Sequence, residues 1–315
     1  MSAHASAPAR AAARPPRRRR ASSDRAKADR RLGYLLVAPV LGLLALVTAY
    51  PLAYNLWNSF HEVNLGVARS AEPFVGVKNY SAMFSSPEWV DSLWKTAAFT
   101  AISVVLETIA ALGLALMLNR RFRGRGFLRA AILIPWAVPT VVSAELWRTM
   151  VDPRAGFVDY LLGSLHLPLA HTTWLNGVWS SWTTVVVADA WKNVPFMAII
   201  LLAGLQVIPN EVYEAARIDG ASAWQSFRRM TLPLLKPALS VALIFRTLQA
   251  FLVFDVIYIL TGGGPGTSTQ TLAYLNWRTF LIDTNFGYGG AMSIMLVVIA
   301  LAIAALYVRF MRAES

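Results

Sequence analysis

The residues able to do chemistry sit in apolar surroundings. Asp189 and Lys192 lie three apart in a long hydrophobic run, beside Trp191 and Asn193 and just before Pro195 and Phe196. That spacing puts acid and base on one helix face, where each can neutralise the other. A second run holds Arg246, Gln249 and Asp255, and two more hold Glu107 and the Glu145/Arg148 pair. Charges inside apolar segments are costly to bury and are functional candidates by default. Glu107 and Arg246 fall at broadly similar depths, so a buried pair is expected, one that Glu107→Gln should weaken. Glu145 and Arg148 read as structural.

Enzyme chemistry finds no support. There is no cysteine, and His4, His61, His166 and His171 are too scattered to hold a metal. No zinc-protease, serine-hydrolase or paired-carboxylate pattern occurs. The segment Gly262–Thr269 is glycine-rich, but no lysine follows its last glycine, so it is a turn rather than a phosphate cradle.

The elements that position these residues are apolar helices. The chain has 315 residues, is 56% hydrophobic and 15% charged, and has a mean hydropathy of +0.49. Soluble domains carry about 25% charged residues, so a water-soluble protein is excluded. Stretches long enough to cross a bilayer run over Leu32–Trp57, Trp94–Leu118, Phe127–Val151, Trp182–Ile208, Ala238–Leu260 and Gly289–Phe310. They are continuous rather than alternating, which favours helices over a β-barrel. Pro135 and Pro139 predict a kink or break in the third. Residues 1–31 are low-complexity Ala, Pro, Ser and Arg, and read as a disordered basic tail. The apolar run that follows is too long for the core of a cleavable signal peptide. No internal repeat is apparent.

The net charge of +12 is an orientation label. Bases crowd the tail, the loop after the second span (Arg120, Arg121, Arg123, Arg125, Arg129) and the loop after the fourth (Arg217, Arg228, Arg229, Lys236). The intervening loops hold only Arg69, Lys78, Arg154 and Arg278. Cytoplasmic loops are enriched in Lys and Arg, so six spans with both termini cytoplasmic are expected. Beside a span, the Arg120–Arg129 cluster reads as topology control and lipid contact, not nucleic-acid binding. Trp57, Trp89, Trp94, Trp174, Trp179, Trp182 and Trp277 on the other side fit an interfacial belt.

The loop at 209–237 has its own pattern. Pro209 and Asn210 open a short helix with Glu211 and Glu214 in its first turns, Gly220 ends it, and Ser222 caps a second helix from Ala223 to about Met230. Pro233 and Pro237 then bracket entry to the fifth span. A short helix with a small-residue face outside the membrane suits a partner's groove.

Glu214-Ala215-Ala216, Gly220 and Leu232-Pro233 resemble the EAA signature of permease subunits of binding-protein-dependent ABC importers. Met230 stands where the family usually has an aliphatic residue. Leu260-Thr-Gly-Gly-Gly-Pro265 is similar to the matching segment of the maltose-permease-type first subunit of carbohydrate importers. The resemblance covers about Trp94 to Arg312. It implies an all-α type I importer transmembrane domain over 94–315, preceded by a first helix and outer loop over 32–93.

The resemblance also implies a division of labour. Glu214, Ala215, Ala216, Asp219, Gly220, Leu232 and Pro233 would couple to a cytoplasmic ATPase dimer. The chain itself would be no enzyme and would bind no cofactor or metal, ATP and Mg being used by the partner. A second permease subunit and an extracytoplasmic sugar-binding protein or lipoprotein would complete the importer. By position, Asp189, Trp191, Lys192, Asn193, Phe196, Gln249 and Ala250 would line the sugar pathway, since aromatic faces suit C–H surfaces and amides suit hydroxyls. Within the family a disaccharide such as trehalose or maltose is expected. The Ala- and Arg-rich composition adds a hint of an actinobacterial trehalose importer. Lys192 and Arg246 keep glycerol 3-phosphate open as an alternative, as is another oligosaccharide. A channel or scaffold is the distant alternative.

Overall fold

The computed structural model describes residues 21–66, 72–167 and 172–313. Helix α1 (Ala21–Ser59) contains the first apolar stretch. It starts ten residues before the tail was expected to end, so Ala21–Arg31 is helical and continuous with the span, and the rest of that tail lies outside the described residues. Arg30 stacks its guanidinium 5.6 Å above the Tyr34 ring one turn on, which ties that polar turn to the apolar one. The described residues up to Tyr54 form one unit and those from Asn55 another.

In the second unit, α2 (Lys78–Ser85) leads to α3 (Pro87–Asn119). Ser86 accepts the Trp89 amide, Pro87 opens the helix and Glu88 complements its dipole, so α3 starts well before the expected Trp94. The third stretch is broken into α4 (Arg125–Ile132), α5 (Ile134–Ala137) and α6 (Thr140–Met150). The two halves meet at 91°. Pro139 causes the break by forcing Val138 into extended backbone (ψ 132°). This is the break expected from the prolines.

Helix α7 (Phe157–Ser164) precedes α8 (Val178–Val207), the fourth span. Next come α9 (Asn210–Ile218), α10 (Ala223–Ser226), a π turn (Phe227–Thr231) and α11 (Leu232–Phe251). The span of Ala223–Phe251 is thus earlier than the expected Ala238–Leu260. The chain breaks after Phe251, and α12 (Asp255–Leu260) is a separate short helix that carries Asp255 out of the span. Helices α13 (Leu272–Leu281) and α14 (Phe286–Ala313) complete the chain, α14 being the last span. Among the described residues, five helices are long and apolar enough to cross a membrane, six if the bent pair is one span.

The core lies where α3, α8 and α11 meet. Ala111 and Ala115 on α3 pack with Ala198 and Leu201 on α8 and with Leu235 and Ala242 on α11. Small side chains let backbones approach closely, and in lipid that packing replaces the hydrophobic drive between helices. The same three helices hold the charged residues.

Candidate functional site

Near mid-length of α3, Glu107 faces Arg246 of α11 and Asp189 of α8. Arg246 grips Glu107 with both its Nε and its Nη2, the latter donating to Oε1 at 2.8 Å, and its Nη2 also donates to Asp189 Oδ2. All three side chains are buried. Asn193 Nδ2 donates to Asp189 Oδ1 at 2.9 Å, one turn along α8. Charges taken out of solvent must be paired and hydrogen-bonded to be tolerated. This network meets that condition and ties the three core helices together.

The expected Glu107–Arg246 pair is therefore present. Asp189 and Lys192 make no contact ion pair, although the Asp189 and Asp255 carboxylates still act on Lys192 through space. Asp189 is turned into the core by the Arg246 guanidinium. Lys192 Nζ instead donates to Trp136 O at 3.2 Å and to Val138 O. Those carbonyls are set free where Pro139 breaks the third span, and the ammonium caps them. Phe196 stacks on Trp136 at 5.0 Å and braces the same break.

The remaining pathway candidates go different ways. Trp191 meets Trp147 edge-on at 6.2 Å and lines an open apolar surface depression with Pro135, Val187 and Ala190. Gln249 is exposed. Ala250 is fully buried among Val185, Ala188 and Ile257. So the residues expected to form one cluster divide among an ionic core, a helix break, an open surface depression, an exposed position and a packing core. Glu145 and Arg148 form an exposed pair at 3.9 Å.

One feature escaped the sequence reading. Ser92, Thr96, Thr100 and Ser103 lie at helical spacing on the face of α3 that carries Glu107, and all are buried. Thr96 Oγ1 accepts the Leu272 amide at 2.8 Å, so α13 is held to α3 from outside the spans. The signal was there as small hydroxyl residues at intervals of three and four within an apolar run.

The loop at 209–237 folds largely as its residues dictate. Gly220 adopts φ +75°, where a side chain would strain the backbone. Its amide donates to Arg217 O at 3.1 Å and that of Ala221 to Ala216 O at 2.9 Å, closing α9 with a paired C-terminal cap. Ser222 and Gln225 exchange backbone-to-side-chain hydrogen bonds at 3.3 and 2.8 Å, a reciprocal cap on α10. Glu214, Ala215, Asp219 and Gly220 are exposed, while Ala216 is buried. Leu232 and Pro233 do not precede the fifth span as expected but lie inside its continuous helix. Pro233 lacks an N–H and its ring crowds the carbonyl four residues back, and the wide π turn immediately before it absorbs that misfit.

A bundle of membrane-spanning helices with a short, exposed helix, closed by a paired C-terminal cap, between two spans is the architecture of a transporter's membrane subunit. The chain belongs to the family of binding-protein-dependent transport system inner membrane components, which it matches over residues 107–313. It is 43% identical over 281 residues to the trehalose/maltose transport system permease protein MalF of Thermococcus litoralis, covering 89% of this chain and 94% of that one. It is 38% identical over 287 residues to the sulfoquinovosyl glycerol transport system permease protein SmoG of Agrobacterium fabrum, covering 91% and 92%. A bacterial ABC transporter that imports the acidic polysaccharide alginate shares the fold, with a TM-score of 0.77 over 92% of this chain and 99% of that one at 24% identity. The chain is thus a membrane-embedded permease subunit of an ABC importer.

Proposed function

We propose that this permease forms half of a translocation pathway for an uncharged disaccharide such as trehalose or maltose. The observation that carries the reading is the state of the cations. Arg246 is held by two carboxylates and Lys192 by two carbonyls. Lys95 pairs with Asp91, and Arg148 with Glu145. An anionic substrate is recognised by a free, forked or point positive charge. Arg246 has its charge taken by two carboxylates and Lys192 has two of its three donors occupied, which favours hydroxyl recognition over glycerol 3-phosphate. The identity to a trehalose/maltose permease supports the same substrate class.

In this reading a second permease subunit supplies the other half, and an extracytoplasmic sugar-binding protein or lipoprotein delivers the substrate. Both termini lie in the cytoplasm. A cytoplasmic ATPase dimer receives α9, with Glu214 pairing a base in its groove and Ala215 allowing close approach, while the buried Ala216 seats the helix on its own chain. Gly220 and Asp219 shape the turn, and Leu232-Pro233 transmits its motion into α11. ATP and Mg are used by that partner. The family relationship supports this assembly, and the exposure of Glu214 and Ala215 fits a docked surface.

A strain lacking the gene, complemented or not, tests the substrate. Labelled trehalose, maltose, glycerol 3-phosphate and sulfoquinovosyl glycerol are offered in turn. Restored uptake of a neutral disaccharide supports the reading. Restored uptake confined to an anion overturns it.

A further inference from the structure

Outside the spans, four rings from two short helices converge. Phe254, at the start of α12, stacks with Tyr258 at 5.4 Å and with Tyr274 of α13 at 6.4 Å. Trp277 lies 4.7 Å from Tyr258, 5.5 Å from Tyr274 and 5.7 Å from Phe254. An interfacial belt spreads single rings around the perimeter of a protein. Here every ring touches the others, and the cluster is partly open, Tyr258 being 43% exposed.

Two further facts separate this cluster from plain packing. Among the described residues, Tyr258 Oη, Tyr274 Oη and Trp277 Nε1 make no hydrogen bond to the protein, so these donors stay open to a ligand. Burial pushes the Tyr274 phenol above its ordinary range. The ring is also backed by Gly263, where a Cβ would come within 2.8 Å of it. Beside the rings, Asp255 is exposed, one turn before Tyr258 on α12. Ring faces, unused donors and an exposed carboxylate are complementary to one ligand chemistry: the alternating C–H faces and hydroxyls of a sugar.

We infer that Phe254, Tyr258, Tyr274 and Trp277, with Asp255, form a sugar-stacking platform where the substrate is received before it enters the spans. The inference rests on the sugar-import reading above and adds a second binding position to it. The platform acts before the ionic core, so it sets the apparent affinity for transport rather than the coupling to ATP.

The test uses the complete importer, with both permeases, the ATPase and the binding protein, reconstituted in liposomes. Wild type is first assayed with labelled trehalose and maltose. If it carries neither, the sugar reading itself fails. If it does, Tyr258→Leu and Trp277→Leu are compared with Tyr258→Phe. The platform predicts that the two leucine variants raise KM for sugar by about five- to tenfold. Tyr258→Phe should keep most of the affinity, and ATP hydrolysis without sugar should stay unchanged. Because Tyr258 is exposed, its leucine variant decides the matter if Trp277→Leu fails to assemble. Unchanged KM in Tyr258→Leu overturns the proposal. So does a KM change that vanishes at saturating binding protein, which would make the rings a protein-docking surface instead.

Discussion

Removing Arg246 should be far worse than removing either acid that holds it. Formally the network carries two negative charges and one positive. Arg246→Met leaves Glu107 and Asp189 buried side by side with no cation. Taking one partner from a buried ionic network costs about 3–5 kcal/mol. Glu107→Gln is different, because it keeps an oxygen for the guanidinium and leaves the Arg246–Asp189 contact in place. It removes one charge-assisted interaction, so a loss of about 1–2 kcal/mol is expected. The melting temperature of the purified importer, followed by size-exclusion chromatography after heating, reads the difference. For a chain of this size, about 3–5 kcal/mol corresponds to a drop of about 5–8 °C. The triple variant Glu107→Gln, Asp189→Asn, Arg246→Met removes every charge and should recover much of the loss. The reasoning is refuted if Arg246→Met is no less stable than Glu107→Gln, or if the triple variant is no better than Arg246→Met.

Other perturbations separate structural from functional roles. Lys192→Met takes the donor from the freed carbonyls at the helix break, and an acceptor left without a donor in apolar surroundings costs about 1–3 kcal/mol. A lowered melting temperature with unchanged substrate preference is expected, and a switch in preference would return Lys192 to the pathway. Gly220→Val forces a branched side chain to φ +75°, costing about 1–2 kcal/mol, and should lower sugar-stimulated ATP hydrolysis more than it lowers assembly. Glu214→Lys reverses an exposed charge at no folding cost. It should abolish ATP-dependent uptake, measured in vesicles, while substrate binding to the external protein is unaffected. Ser222→Ala removes one half of the α10 cap and should cost about 1 kcal/mol, visible as a small fall in melting temperature.

What the sequence disclosed depended on whether the signal was local. Pro139 announced the break in the third span because proline restricts its neighbour whatever surrounds it. The caps at Gly220 and Ser222 were legible for the same reason, as each is settled within a few residues. Helix ends were less legible. The α3 start is set by Ser86 and Pro87, which lie outside the apolar run, and the α11 start moved upstream because a π turn let the helix pass through Pro233. The partners of Asp189 and Lys192 were not legible locally. Their spacing of three suggested mutual neutralisation, but Arg246 lies 57 residues from Asp189, and the carbonyls that hold Lys192 lie 54 and 56 residues away. Long-range competition decided both. The Glu107–Arg246 pair was inferred because depth in a span can be counted along a helix. Ala250 matched a cavity position by resemblance, yet it is packed tightly against α8 in this chain.

The central claim is that the permease serves an uncharged sugar because its membrane-embedded bases are already engaged. Competition in liposomes holding the complete importer tests it most directly, with ATP inside, binding protein outside and labelled disaccharide as the substrate. The account predicts ATP-dependent accumulation of the disaccharide that excess unlabelled trehalose or maltose suppresses and excess glycerol 3-phosphate leaves untouched. Accumulation of labelled glycerol 3-phosphate under the same conditions, suppressed by the unlabelled anion and not by either sugar, would contradict it.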